Sequence, residues 1–207
     1  LSINKQFVLP ILKIFILALV FIMKHVIIAE AQGFCWGVRR ALEIVNQHRS
    51  LSIFGDLIHN KQVVAELEKN DKNVVQEITA NEKNPIVITA HGTNISNIAK
   101  IKSLDKILID TTCPLVSAIY RAGEALQKEG YHILIIGDRK HVEVKGIASR
   151  MHQPIIVNNE EELEKSELPE KIGIICQSTF SSTKYERMID FIKSRSKDVK
   201  AKNTICS

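Results

Sequence analysis

The chain has 207 residues, enough for one large domain or two small ones, and its 45% hydrophobic and 25% charged content is ordinary for a globular protein. The net charge is only +5, with Lys5 and Lys13 supplying part of it, and no run of Lys and Arg is interleaved with aromatics, which excludes a nucleic-acid footprint. Four cysteines at wide, irregular intervals exclude a secreted disulfide framework and point to metal or catalytic use in a reducing compartment.

Residues 7–22, FVLPILKIFILALVFI, are almost wholly apolar, but the stretch is short for a membrane span and carries Pro10 and Lys13. It has the outline of a signal peptide, with Ala29-Glu30-Ala31 as the cleavage site. Cleavage there would remove Val26–Ala29, the apolar run expected as the strand leading to Cys35. Residues 1–22 are therefore expected to be a non-native or disordered extension, with no membrane segment, and the α/β chain to begin at Met23.

From Met23 one pattern repeats: an apolar run, a short polar or glycine-containing turn, then an amphipathic helical pattern. Val26–Ala29 leads to Cys35 and the helix Val38–Asn46. Ser52–Phe54 leads to His59 and Val63–Lys69. Pro85–Thr89 leads to His91-Gly92 and a helix near Ile98–Lys102. Ile107–Ile109 leads to Cys113 and Leu115–Leu126. His132–Ile136 leads to His141 and Glu143, which an extended segment would point the same way. Ile155–Val157 precedes the acidic helix start Glu160–Glu164, and Lys171–Ile175 leads to Ser178-Thr179 and Tyr185–Ser194. Strands alternating with helices predict an α/β fold of parallel sheets covered on both faces.

The chemistry-capable residues share one position. Cys35, His59, His91, Cys113, His141 with Glu143, and Ser178 all fall just after an apolar run. In open α/β sheets ligands bind beyond the carboxyl ends of the strands, where helix N-termini also gather and favour anions. These residues could share one anion-binding pocket. Cys113 sits where a strand ends and a helix begins at Pro114, a setting that favours thiolate. A buried cap cysteine fits that position equally, and spacing alone leaves both open. Cys176, inside a strand pattern, reads as a core thiol. His25, His48 and His132 carry no role, and spacing assigns none to Cys206. Three cysteines from separate units could still meet on one iron–sulfur cluster with an iron left free.

The segments GFCWGVRRAL, HNKQVV, ITAHGT, DTTCPLV, HVEVKG, QSTFS and NTICS resemble, in that order, the motifs of the 4-hydroxy-3-methylbut-2-enyl diphosphate reductase family. The resemblance runs from about Met23 to Ser207. It implies a fold of three parallel-sheet α/β units around a central [4Fe-4S] cluster. By that resemblance this chain is expected to carry two of them, at 23–110 and 111–202, with 203–207 opening a third that is missing. It implies two-electron, two-proton removal of a hydroxyl from an allylic diphosphate substrate, giving isopentenyl and dimethylallyl diphosphate in the methylerythritol phosphate route. An external electron donor of ferredoxin or flavodoxin type and a cytoplasmic location come with it.

Carried over by motif, Cys35, Cys113 and Cys206 would ligate the cluster. His59, His91, His141 and Ser178 would bind substrate, and Glu143 would deliver the proton to the leaving hydroxyl. Ser178 stands where the family usually has threonine. The family continues beyond its third cysteine, so Cys206 is expected on a frayed tail. The alternative is a non-catalytic α/β fragment that binds metal or diphosphate without turnover.

Overall fold

Helix α1 (Trp36–Asn46) leads into a first sheet of β1 (Leu51–Phe54), β2 (Lys72–Val75), β3 (Ile86–Ile88) and β4 (Leu108–Asp110), with α2 (Lys61–Lys69) and α3 (Ile95–Ser103) in its crossovers. Helix α4 (Pro114–Lys128) leads into a second sheet of β5 (His132–Ile136), β6 (Ile155–Val157), β7 (Lys171–Cys176) and β8 (Asp198–Ala201). Helices α5 (Val142–Ala148), α6 (Glu160–Glu164) and α7 (Ser182–Arg195) make its crossovers. This computed structural model describes residues 27–30 and 32–206, and Phe34–Ser207 pack as one unit. The expectation for residues 1–22 lies outside the described residues.

Both sheets are wholly parallel and share one topology. The strand orders are β2-β1-β3-β4 and β6-β5-β7-β8. The reason is visible in the central strands, which are apolar on both faces as buried parallel strands require. In the second sheet Leu134, Ile136, Ile172 and Ile174 pack on Tyr185, Met188 and Ile192 of α7. Alternate residues Ile133, Ile135 and Ile175 pack on Val116, Ile119 and Leu126 of α4 and Val144 and Ile147 of α5. In the first sheet Leu51, Ile53 and Val87 cover Ala41 and Val45 of α1, while Ile86 and Ile88 face Ile101 of α3. Fully burying one such side chain stabilises by about 1.5–3 kcal/mol, so these two-sided layers hold the strand ends in place.

Two local expectations are corrected. Ile27–Ala29 is not a strand, and Ile27 and Ile28 are exposed. Strands β2 and β8 are additional to the sequence pattern. They are edge strands with polar sequences, Lys72-Asn73-Val74-Val75 and Asp198-Val199-Lys200-Ala201, and carry no apolar run. Their pairing comes from the register against β1 and β7.

Candidate functional site

The strand orders place the site. In each sheet the chain first builds to one side of its opening strand and then crosses to the other. The reversal falls between β1 and β3 in one sheet and between β5 and β7 in the other. Ligand crevices form at such reversals, beyond the carboxyl ends. His59 follows β1 and His91 follows β3; His141 and Glu143 follow β5, and Ser178 follows β7. Cys113 follows β4 and Cys206 follows β8, the equivalent edge strands of the two sheets.

The three histidine rings pack as one cluster. His59 stacks on His91 with centroids 4.1 Å apart, and His141 meets both edge-on at 5.2 and 5.7 Å. His141 is the N-cap of α5, and its Nδ1 accepts the Glu143 backbone N–H at 3.2 Å. The helix start corrects the expectation of an extended segment: His141 and Glu143 reach the cavity as the cap and first turn of α5. An N–H can only donate, so Nδ1 carries the lone pair and a neutral His141 holds its proton on Nε2. That Nε2–H donates to His59 Nε2 at 3.2 Å. Burial, with the charges of His59 and His141 adding, lowers the pKa of His91 to about 4. Burial also lowers that of His141, against the opposing pull of Glu143. His91 Nε2 is buried and finds no hydrogen-bond partner among the described residues.

Ligand atoms of the three histidines lie within 4.8 Å of one another, close enough for a metal ion. The cap bond argues for an anion instead. Metal on His141 Nε2 would put the proton on Nδ1, facing the Glu143 N–H it now accepts. An anion can take the Nε2–H in place of His59 Nε2 and leave the cap bond intact.

Glu143 is 1% exposed. Its Oε1 accepts the Ser178 N–H at 2.6 Å and its Oε2 accepts the Ser178 hydroxyl at 2.8 Å. The carboxyl is thus held by both donors of one residue across the β5–β7 reversal.

Cys35 and Cys113 are the N-caps of α1 and α4. The caps Asn60, Asn94, His141, Asn159 and Ser181 each accept a backbone N–H through the side chain. Neither thiol makes such a bond, so each stays free for a ligand. The two helix starts touch: a Cβ at Gly37 would lie 2.5 Å from Cys113 Sγ. Cys113 N–H donates to Ala90 O at 2.9 Å, fixing the cap beside His91.

Cys206 does not sit on a frayed tail. Its N–H donates to Ser178 O at 2.7 Å, and Ile205 packs on the second-sheet core. Thr204 Oγ1 accepts the Cys176 N–H at 2.8 Å and donates to Cys176 O at 2.6 Å. Sequence reasoning missed Thr204 and Gly37; only the flanking cysteines marked them. Cys176 itself is fully buried, and burial, with Glu143 adding, raises its thiol pKa. One cavity of about 200 Å³ is lined by Cys35, Cys113 and Cys206, by His59, His91 and His141, and by Glu143 and Ser178.

Comparison with known proteins matches residues 26–207 to the LytB protein family. The chain belongs to the LytB family. A relative from Campylobacter fetus subsp. fetus, named 4-hydroxy-3-methylbut-2-enyl diphosphate reductase, is 37% identical over 183 residues, covering 87% of this chain and 66% of its own. A relative of the same name from Helicobacter pylori strain P12 is 34% identical, covering 86% of this chain and 66% of its own. The chain therefore spans just under two thirds of the length of these relatives. A solved structure of (E)-4-hydroxy-3-methyl-but-2-enyl diphosphate reductase superposes with a TM-score of 0.76 at 29% identity, over 87% of this chain and 68% of that one. The E-1-hydroxy-2-methyl-but-2-enyl-4-diphosphate reductase of Plasmodium falciparum superposes at 0.80 and 27%, over 86% and 59%. Among the described residues no helix is long and apolar enough to cross a membrane.

Proposed function

We propose that this chain carries the metal- and substrate-binding site of a 4-hydroxy-3-methylbut-2-enyl diphosphate reductase of isoprenoid biosynthesis. The observation that carries the reading is the convergence of three cysteines, three histidines, Glu143 and Ser178, from both sheets, on one cavity. In this reading 23–110 and 111–202 are the two α/β units and 203–207 opens the next. The family names support the substrate class, and the motifs support the [4Fe-4S] cofactor.

The donor set fits that group. Cys35, Cys113 and Cys206 would hold it, two of them as helix caps whose thiols carry no capping bond. When bound, the cluster supplies electrons from a ferredoxin- or flavodoxin-type donor and a Lewis-acidic iron at the substrate hydroxyl. His59, His91 and His141 hold the diphosphate, led by the fixed Nε2–H of His141. Glu143 holds a proton at its carboxyl oxygens and passes it, through the Ser178 hydroxyl, to the leaving oxygen. The carbon–oxygen bond breaks with two electrons and two protons taken up, and water leaves. The compartment is the reducing cytoplasm.

The alternative reading is an α/β fragment that binds metal or diphosphate without turnover. An anaerobic assay with an artificial electron donor, on this chain and on a version extended to the relatives' length, separates the two. Turnover by the extended protein is expected. An extended protein that loads its cluster and stays inert would overturn the reductase reading.

A further inference from the structure

Behind the histidine cluster lies a buried tyrosine that the mechanism above does not use. Tyr120, on α4, is 8% exposed, and its hydroxyl has no hydrogen-bond partner among the described residues. Buried polar groups are rarely left so, and each such case needs a reason. The ring is wedged between two backbones that carry the site. A Cβ at Gly92, the residue after His91, would lie 2.0 Å from the Tyr120 hydroxyl. A Cβ at Gly146, in the same short helix as Glu143, would lie 2.9 Å from it. Gly92 also has φ +76, so glycine is required there twice over.

Arg150 closes the wedge. Its guanidinium lies 3.9 Å from the centroid of the Tyr120 ring. Its Nη1 donates to Thr93 O at 2.9 Å and to Gly146 O at 2.6 Å. One cation thus ties the turn after β3 to the helix after β5, with the ring pressed between them.

We infer that Tyr120, clamped by Arg150, is the positioning residue that sets the spacing of His91 against His141 and Glu143, and so the shape of the anion pocket. The inference deepens the diphosphate reading and rests on it. The ring carries the spacing, since its Cζ would also lie 3.2 Å from a Cβ at Gly92, and the hydroxyl at its tip adds contact but no hydrogen bond. Tyr120→Phe should therefore preserve the pocket, while loss of the ring or of the clamp should loosen it.

The test is calorimetric titration of the chain with inorganic pyrophosphate. Tyr120→Phe should bind within about two-fold of the parent, whereas Tyr120→Leu and Arg150→Leu should bind at least about five-fold more weakly, a loss on the order of 1 kcal/mol. If Tyr120→Leu does not fold, Arg150→Leu decides, because Arg150 lies outside the core. Parent-like affinity in the clamp and ring variants overturns the inference. So does an equal loss in Tyr120→Phe, which would make the hydroxyl the acting group. If the parent itself does not bind pyrophosphate, the diphosphate reading fails. The imidazole proton shifts of His91 and His141 then decide this one: displaced in the ring and clamp variants, it stands; unchanged, it falls.

Discussion

Replacing Glu143 separates what its carboxyl does for the fold from what it does for the reaction. In Glu143→Ala the Ser178 N–H loses its acceptor inside a buried site. The Ser178 hydroxyl loses one as well, although it can rotate. An orphaned buried donor costs about 1–3 kcal/mol, so the pair should cost about 3 kcal/mol. For a chain of this length that lowers the melting temperature by roughly 6–12 °C. Glu143→Gln should spare most of this. The amide oxygen still accepts the Ser178 N–H, and the amide nitrogen donates to a Ser178 hydroxyl turned to accept. What the amide lacks is a transferable proton. Turnover of the extended protein should fall by roughly 10²–10⁴-fold while the cluster and diphosphate affinity remain. Thermal melts of the chain and anaerobic turnover of the extended protein read the two effects. A Gln variant that melts as low as the Ala variant would refute the hydrogen-bond account. Near-normal turnover in the Gln variant would remove Glu143 from proton delivery.

The depressed pKa of His91, about 4 against 6.5, makes stability depend on pH. Above pH 6.5 neither state is protonated and the full stability is present. As pH falls from 6.5 towards 4 the unfolded chain takes up the proton first, and up to about 3 kcal/mol is lost. Urea unfolding across that range should show the loss, and flat stability would contradict the buried neutral ring. Because His91 has a lowered pKa and an unpartnered Nε2, pyrophosphate should bind with proton uptake near neutrality and more tightly as pH falls. Calorimetry in buffers of different ionisation enthalpy measures that uptake, and its absence would argue against imidazolium formation. Gly37→Ala pushes a methyl to 2.5 Å from Cys113 Sγ, so reconstituted iron should fall while the apo melt shifts little; unchanged iron content would separate the two helix starts from the cluster. Thr204→Val removes both contacts with Cys176 and should speed amide exchange at Cys206, while parent-like protection would show that Ile205 alone anchors the segment.

Much of the fold was legible because the central strands are mostly apolar, broken only by residues such as Ser52 in β1, and parallel strands buried on both faces read that way. The grouping of His59, His91, Cys113, His141, Glu143 and Ser178 beyond strand ends was legible for the same reason. What could not be read was the strand order. It turns on β2 and β8, whose Lys72-Asn73 and Asp198–Ala201 sequences look like loop until they pair. Without that order the reversals that bring His59 to His91, and Glu143 to Ser178, are invisible. The tautomer of His141 is hidden too, because HVEVKG reads as extended in the sequence and a helix start makes the ring a cap. Tyr120 looked like any residue on the apolar stripe of its helix. Its partners Gly92, Gly146 and Arg150 come from distant segments.

The central claim is that Cys35, Cys113 and Cys206 form one metal-binding set. Anaerobic iron–sulfur reconstitution, followed by absorbance and electron paramagnetic resonance, tests it most directly. The extended protein should take up a [4Fe-4S] cluster, lose it with Cys35→Ser, Cys113→Ser or Cys206→Ser, and keep it with Cys176→Ser. A cluster that survives any of the first three, or one lost with Cys176→Ser while the fold persists, would contradict the account.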